Sequence, residues 1–98
     1  MNTYDSIMNK IADKSVKVGI IGLGYVGLPL AVSFARKRLV VLGFEKSLKK
    51  AEAVNAGQNY IGDIKDEEFA SVVKDAMLSA TTDFSRIVEC DALIICVP

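Results

Sequence analysis

Apolar residues along this chain follow two spacings, which alternate from one end to the other. Continuous apolar runs, rich in β-branched residues, are typical of strands buried on both faces of a parallel sheet. Strands are predicted over three such runs, at residues 16–21, 39–44 and 92–97, and a short strand is predicted over residues 79–82.

The second spacing places apolar residues three or four positions apart, which indicates one face of a helix. Ser47 is a favourable N-cap, and Gly57 is a favourable stop signal for the helix that Ser47 begins. Asp83 is expected to cap a brief helical turn. Helices are predicted over residues 4–13, 28–38, 48–55 and 66–77, with the turn ending at Val88. In the helix at 28–38, the residues expected to face the sheet are Val26, Leu30, Ala31, Phe34 and Ala35.

Alternation of strands and helices predicts an α/β fold with a parallel sheet and helices on both faces. Right-handed crossovers give the strand order 3-2-1-4, and a ligand crevice opens where the first and fourth strands diverge. We therefore expect the first half, about four strands, of a Rossmann-type doubly wound sheet over residues 16–98. Residues 1–15 are expected to form a helical extension, and Val97 should lie beside the crevice.

The first strand leads directly into Gly-x-Gly-x-x-Gly at Gly22, Gly24 and Gly27, and a helical pattern follows. In this context Gly22 permits a sharp turn, Gly24 lets the backbone approach a pyrophosphate, and Gly27 lets the helix pack closely on the strand. Tyr25 and Val26 lie within the turn, so their N–H groups are the expected phosphate donors. A glycine-rich turn that binds nothing is the alternative.

Glu45 ends the second strand, near the distance of about 20 residues at which the motif expects an acidic residue. Its carboxylate can hold the ribose hydroxyls of adenosine and would repel a 2′-phosphate, which favours NAD over NADP. The neighbouring Lys46, Lys49 and Lys50 favour NADP, because cations would stabilise a 2′-phosphate. The alternative is that these lysines form a solvated helix face. Lys50 lies one helical turn in and could reach back to the cofactor.

Charge and composition exclude several classes of function. The chain has 12 basic and 12 acidic residues, which argues against a dedicated nucleic-acid binder or a polybasic membrane-surface protein. No apolar run approaches the roughly 20 residues of a membrane span. The first residues lack the pattern of a signal peptide, so a cytoplasmic location is expected.

Candidate nucleophiles and metal ligands are few in this sequence. It contains no histidine and two cysteines, Cys90 and Cys96, which match no zinc-binding spacing. Both are interpreted as small buried hydrophobic residues, with a nucleophilic Cys96 as the weaker alternative. No catalytic residue and no metal site are predicted.

Several segments resemble the UDP-glucose/GDP-mannose dehydrogenase family. The resemblance begins with Gly-Leu-Gly-Tyr-Val-Gly-Leu-Pro-Leu-Ala at residues 22–31. It continues through Gly-Phe-Glu at 43–45, Asn-Tyr-Ile-Gly-Asp at 59–63, Ala-Thr-Thr-Asp-Phe at 80–84 and Ile-Cys-Val-Pro at 95–98. It covers nearly the whole chain, and the segments at 59–63 and 80–84 are most similar to members that oxidise UDP-N-acetylglucosamine.

This resemblance implies an enzyme that oxidises the C6 alcohol of a UDP-sugar to a carboxylate with two NAD⁺, and a homo-oligomer is expected. The family's nucleophilic cysteine, catalytic lysine and UDP-sugar contacts would lie beyond residue 98, so these 98 residues alone should be inactive. Cys96 does not match the nucleophile. The alternative function is a free-standing module that senses NAD(H) and regulates a partner.

The resemblance also assigns cofactor contacts residue by residue. The glycine turn contacts NAD through Tyr25 and Val26. Glu45 takes a position where the family usually has Asp, and Lys50 matches a basic NAD contact in relatives. Val97 falls in the loop after the fourth strand, which lines the cofactor.

Overall fold

The computed structural model describes residues 16–62 and 64–96, and four parallel strands organise this part of the chain. The strands are β1 (Lys17–Ile21), β2 (Val40–Phe44), β3 (Leu78–Thr81) and β4 (Ala92–Ile95). The helices are α1 (Gly27–Arg36), α2 (Leu48–Asn55) and α3 (Asp66–Lys74), and a 3-10 helix spans Phe84–Glu89. The spatial order β3-β2-β1-β4 confirms the predicted order of strands.

Some predictions concern residues outside this described part. They are the helix over residues 4–13, the position of Val97 and the end of the loop at residue 63. Among the residues that are described, no helix is long and apolar enough to cross a membrane.

The strands in the middle of the sheet carry the core. In β1, Val18 pairs with Val41 of β2 on one side and with Ala92 of β4 on the other. Gly19 makes this packing possible, because a Cβ there would lie 2.5 Å from Leu93 Cδ2. Close packing around β1 therefore depends on the absence of a side chain at Gly19.

The face that α1 buries differs from the predicted one. Val26 is 67% exposed, because α1 begins at Gly27 and Val26 is its N-cap, outside the regular helix. Leu30 and Phe34 are only partly buried against the core. The fully buried residues of this helix are Gly27, Leu28, Ala31, Val32 and Ala35.

Two helices end earlier than predicted, for a shared reason. Arg38 and Ala76 both have a positive φ, of 68° and 60°, which ends a right-handed helix. After α3, Met77 N–H donates to the Val72 carbonyl and Ala76 N–H to the Val73 carbonyl, which is a Schellman motif. The third helix, α2, has its predicted bounds and ends in the same way at Gly57, whose φ is 74°.

Strand β4 lies at one edge of the sheet. Its side chains alternate between partly buried and exposed, and Leu93 and Ile95 are 42% and 69% exposed. No strand within residues 16–62 and 64–96 pairs with its outer side. This edge therefore presents apolar side chains beside unpaired backbone groups.

Candidate functional site

A cleft of about 940 Å³ opens at the carboxyl ends of β1, β2 and β4. This is the edge of a doubly wound sheet at which ligands bind. The glycine turn forms one wall, and the end of β2 with the start of α2 forms the facing wall. Its lining residues are Ile21–Val26, Phe44–Lys46, Lys50, Phe84, Ile95 and Cys96.

The first and third glycines of the motif shape the turn. Gly22 has a φ of 94°, and its N–H donates to the Phe44 carbonyl at 2.8 Å. A Cβ on Gly27 would lie 1.7 Å from the Gly22 carbonyl oxygen, so the helix can start this close to the strand only at glycine. These contacts match the sharp turn and the close helix packing predicted from the sequence.

Gly24 differs from the other two, because a Cβ built on it meets nothing within 4 Å. The missing side chain therefore leaves open space at the cleft rather than relieving an internal clash. A backbone that can be approached this closely fits a pyrophosphate.

Tyr25 and Val26 lie at the mouth of the cleft, and their side chains are 84% and 67% exposed. Their N–H groups donate to no protein acceptor in the described part of the chain. No side chain caps α1, and its first turn has no acidic residue. Free N–H groups and an uncompensated positive helix end together favour an anionic ligand here.

Glu45 follows β2 directly and faces the glycine turn. One carboxylate oxygen accepts from the Leu23 N–H at 3.2 Å, and the other accepts from the Ser47 N–H at 2.8 Å. A carboxylate has about four acceptor positions, so these two bonds leave room for ribose hydroxyls. The glutamate side chain thus reaches the turn and can also face a ligand.

The three candidate lysines differ in whether they line the cleft. Lys46 and Lys50 line the cleft, whereas Lys49 does not. The Lys50 Nζ lies 5.9 Å from the centre of the Tyr60 ring. Lys50 therefore lines the same cleft as Glu45.

The two cysteines occupy different surroundings. Cys96 lines the cleft, and its N–H donates to the Ile21 carbonyl at 2.7 Å. Burial raises the pKa of the Cys90 thiol, which keeps it protonated and less reactive. In the part of the chain described, no group of three acidic, histidine or cysteine residues is arranged to hold a metal ion.

Sequence reasoning missed several residues that build this site. The Tyr60 hydroxyl donates to the Leu23 carbonyl at 2.6 Å, from a loop that follows α2. Phe84 lines the cleft and packs on Phe44, with ring centres 5.7 Å apart. The signal available for Tyr60 and Phe84 was the resemblance at residues 59–63 and 80–84, which assigned them no role.

Strand, glycine turn and helix, with a carboxylate at the tip of the adjacent strand, define a Rossmann-type dinucleotide-binding domain. Residues 16–98 match the NAD binding domain of the UDP-glucose/GDP-mannose dehydrogenase family. The chain belongs to this family, and NAD is the cofactor of the domain.

Curated relatives include two bacterial dehydrogenases. The UDP-N-acetyl-D-glucosamine 6-dehydrogenase of Salmonella typhi is 41% identical over 83 residues, which is 85% of this chain and 19% of that protein. The UDP-N-acetyl-D-mannosamine dehydrogenase of Escherichia coli K12 is 37% identical over 82 residues, or 83% of this chain and 19% of that protein. The chain thus spans about a fifth of the length of these relatives.

Solved structures with the same fold include dehydrogenases for other nucleotide sugars. An NDP-N-acetyl-D-galactosaminuronic acid dehydrogenase from Methanosarcina mazei superimposes with a TM-score of 0.78 at 32% identity, covering 100% of this chain and 22% of that one. A GDP-mannose dehydrogenase from Pseudomonas aeruginosa gives 0.75 at 29% identity, covering 83% of this chain and 19% of that one.

Proposed function

We propose that this chain binds the adenosine and pyrophosphate of NAD in a dehydrogenase that oxidises a nucleotide sugar. One observation carries the proposal: Tyr25 and Val26, whose N–H groups are unpaired, line the same cleft as Glu45, and the cleft is open at Gly24. The N–H groups would hold the pyrophosphate, and the carboxylate would hold the ribose. Proposed cofactor contacts are Gly22, Gly24, Tyr25, Val26, Gly27, Glu45, Lys50 and Val97.

NAD rather than NADP is the expected ligand because of the charge on the wall opposite the turn. Glu45 lies at the strand tip with both oxygens already oriented by N–H groups. The 2′-phosphate of NADP, bound where the ribose hydroxyl of NAD would lie, would be repelled directly by that negative charge. Lys50 offers a compensating cation, but its Nζ lies over the Tyr60 ring.

The proposed reaction converts the C6 alcohol of a UDP-N-acetylhexosamine to a carboxylate. Support comes from relatives that act on UDP-N-acetyl-D-glucosamine and UDP-N-acetyl-D-mannosamine. Two NAD⁺ molecules would supply the oxidising equivalents, each accepting one hydride in one of the two two-electron oxidations from alcohol to carboxylate. Groups that activate the sugar lie outside the residues proposed here, whose part is to bind and orient the cofactor.

We further propose that residues 16–98 form the first half of the NAD-binding domain and that residues 1–15 precede it as an extension. A homo-oligomer in the cytoplasm is the arrangement we expect for the enzyme. The fraction of the relatives' length that the chain covers supports the first of these proposals.

Calorimetric titration of the natural full-length protein with NAD⁺ and NADP⁺ tests the cofactor proposal. We expect saturable NAD⁺ binding at least about tenfold tighter than NADP⁺ binding, a difference of about 1.4 kcal/mol. Equal or tighter NADP⁺ binding would mean that the lysines outweigh Glu45. Formation of NADH on adding UDP-N-acetylglucosamine or UDP-N-acetylmannosamine tests the reaction, and NAD(H) binding without turnover of any nucleotide sugar would favour a sensing module instead.

A further inference from the structure

Leu23 lies between the first two glycines of the turn and is held at three points. Its N–H donates to Glu45, and its carbonyl accepts from the Tyr60 hydroxyl at 2.6 Å. Its side chain is fully buried against β2, where a Cβ on Gly43 would lie 2.5 Å from Leu23 Cδ1. A residue with both peptide groups and its side chain fixed is an anchor for the flexible glycines beside it.

The bond from Tyr60 has a direct effect on the next residue. The Leu23 carbonyl and the Gly24 N–H belong to one planar peptide unit and point in opposite directions. Fixing the carbonyl therefore fixes the direction of the Gly24 N–H. Glycine has wide conformational freedom of its own, so this N–H would otherwise be poorly defined.

The loop that carries Tyr60 is itself held in place. The Asn59 side-chain oxygen accepts from the Ile61 N–H at 2.8 Å, and its amide nitrogen donates to the Ile64 carbonyl at 2.6 Å. Ile61 is 5% exposed, so it anchors the loop in the core. Burial and the charge of Glu45 raise the pKa of Tyr60, which keeps its hydroxyl protonated and able to donate.

We propose that Tyr60 is a positioning residue for the cofactor pyrophosphate, acting through the Leu23 carbonyl on the Gly24 N–H of the glycine turn. This inference rests on the proposed function, since it assumes that the turn holds the pyrophosphate. It gives a role to the Asn-Tyr-Ile segment at residues 59–61. Asn59 and Ile61 hold the loop, and Tyr60 connects it to the turn.

Tyr60→Phe in the natural full-length protein tests the inference, because it removes the hydroxyl and keeps the ring. We expect the dissociation constant for NAD⁺ to rise about three- to tenfold. Binding of adenosine, which has the ribose but no phosphate, should stay within about twofold. Competition against NAD⁺ gives the adenosine constant.

Asn55→Ala is the matched control. Its side chain bonds to the N–H and carbonyl of Ala80, joining α2 to β3 away from the turn. It should lower the unfolding temperature, as Tyr60→Phe should, and leave both dissociation constants unchanged.

The outcomes separate this inference from the proposed function. If the natural protein binds NAD⁺ and Tyr60→Phe binds it equally well, Tyr60 is a structural residue and the inference is wrong. An equal loss for NAD⁺ and adenosine also overturns it, because the effect would then not involve the phosphates. Failure of the natural protein to bind NAD⁺ would overturn the proposed function as well.

Discussion

Two of the three glycines of the turn, Gly24 and Gly27, are needed for different physical reasons. Gly27 is required by the protein itself, because a Cβ there would overlap the Gly22 carbonyl oxygen. Gly24 has no such internal requirement, since its Cβ position is open. One glycine therefore serves the fold, and the other leaves space for a ligand.

Alanine substitutions should separate these two roles. Gly27→Ala is expected to lower the free energy of unfolding by about 3 kcal/mol, because the clashing atom is backbone and cannot move easily. Gly24→Ala should change it by less than about 0.5 kcal/mol. It should nevertheless weaken NAD⁺ binding about tenfold or more, since its methyl group fills the space for the pyrophosphate.

Denaturant unfolding measures the free energy of unfolding of both variants, and calorimetry measures their NAD⁺ binding. A Gly24→Ala protein that binds NAD⁺ as tightly as the natural one would remove Gly24 from the proposed contacts. A fully stable Gly27→Ala protein would contradict the packing described for α1.

At the scale of elements, the sequence predicted each helix in the described part but not where two of them end. Gly57 identified the end of α2, because glycine adopts positive φ readily. Arg38 and Ala76 take the same conformation without being glycine, so residue type did not reveal them. The available signal was an apolar pair around each end, such as Val72 and Met77, which often accompanies this helix stop.

Ala76→Gly is expected to stabilise the protein. A non-glycine residue in the left-handed region costs about 1 kcal/mol or more, and Ala76 is exposed, so its methyl group contributes little packing. The larger entropy that glycine loses on folding offsets part of this gain. We therefore expect the free energy of unfolding to rise by up to about 1 kcal/mol.

The matched control for this prediction is Ala70→Gly, at an exposed position inside α3. There the same substitution should cost about 1 kcal/mol, because glycine is a poor residue in a helix interior. Thermal and denaturant unfolding measure both changes. Destabilisation by Ala76→Gly would show that its conformation carries no strain.

On the scale of the whole molecule, local patterns predicted the sheet and its strand order but not the contacts between distant segments. Alternating strands and helices with right-handed crossovers leave few possible arrangements, so the order 3-2-1-4 followed. The bond from Tyr60 to Leu23 joins residues far apart in the chain, and no periodicity encodes it. The same holds for the bond from Leu23 to Glu45, a residue whose type and position were predicted.

The Tyr60 contact should also make the stability of the molecule depend on pH in alkaline solution. Burial, and then the charge of Glu45, raises the pKa of Tyr60 from 10 to about 12. Because the folded protein holds this proton more tightly than the unfolded chain, the stabilisation is complete below pH 10 and is lost as the pH rises through about 12. The free energy of unfolding should therefore fall over this range.

Comparison with Tyr60→Phe isolates this effect, since Glu45 and Lys50, which face the ring, are present in both proteins. The variant should be less stable by about 1 kcal/mol at neutral pH, through loss of one hydrogen bond. The difference should shrink between pH 10 and 12. A difference that stays constant up to pH 12 would mean that the hydroxyl is not held as described.

Arg38 and Ala76 both precede strands, so they lie at the edge of the sheet opposite the cleft. Engineers who raise the heat tolerance of an enzyme often lose catalytic performance, because strained residues tend to cluster where ligands bind. In the described part of this chain, the non-glycine residues with left-handed backbone lie outside the lining of the cleft instead. A more durable version of the domain can therefore be sought there without weakening its hold on NAD.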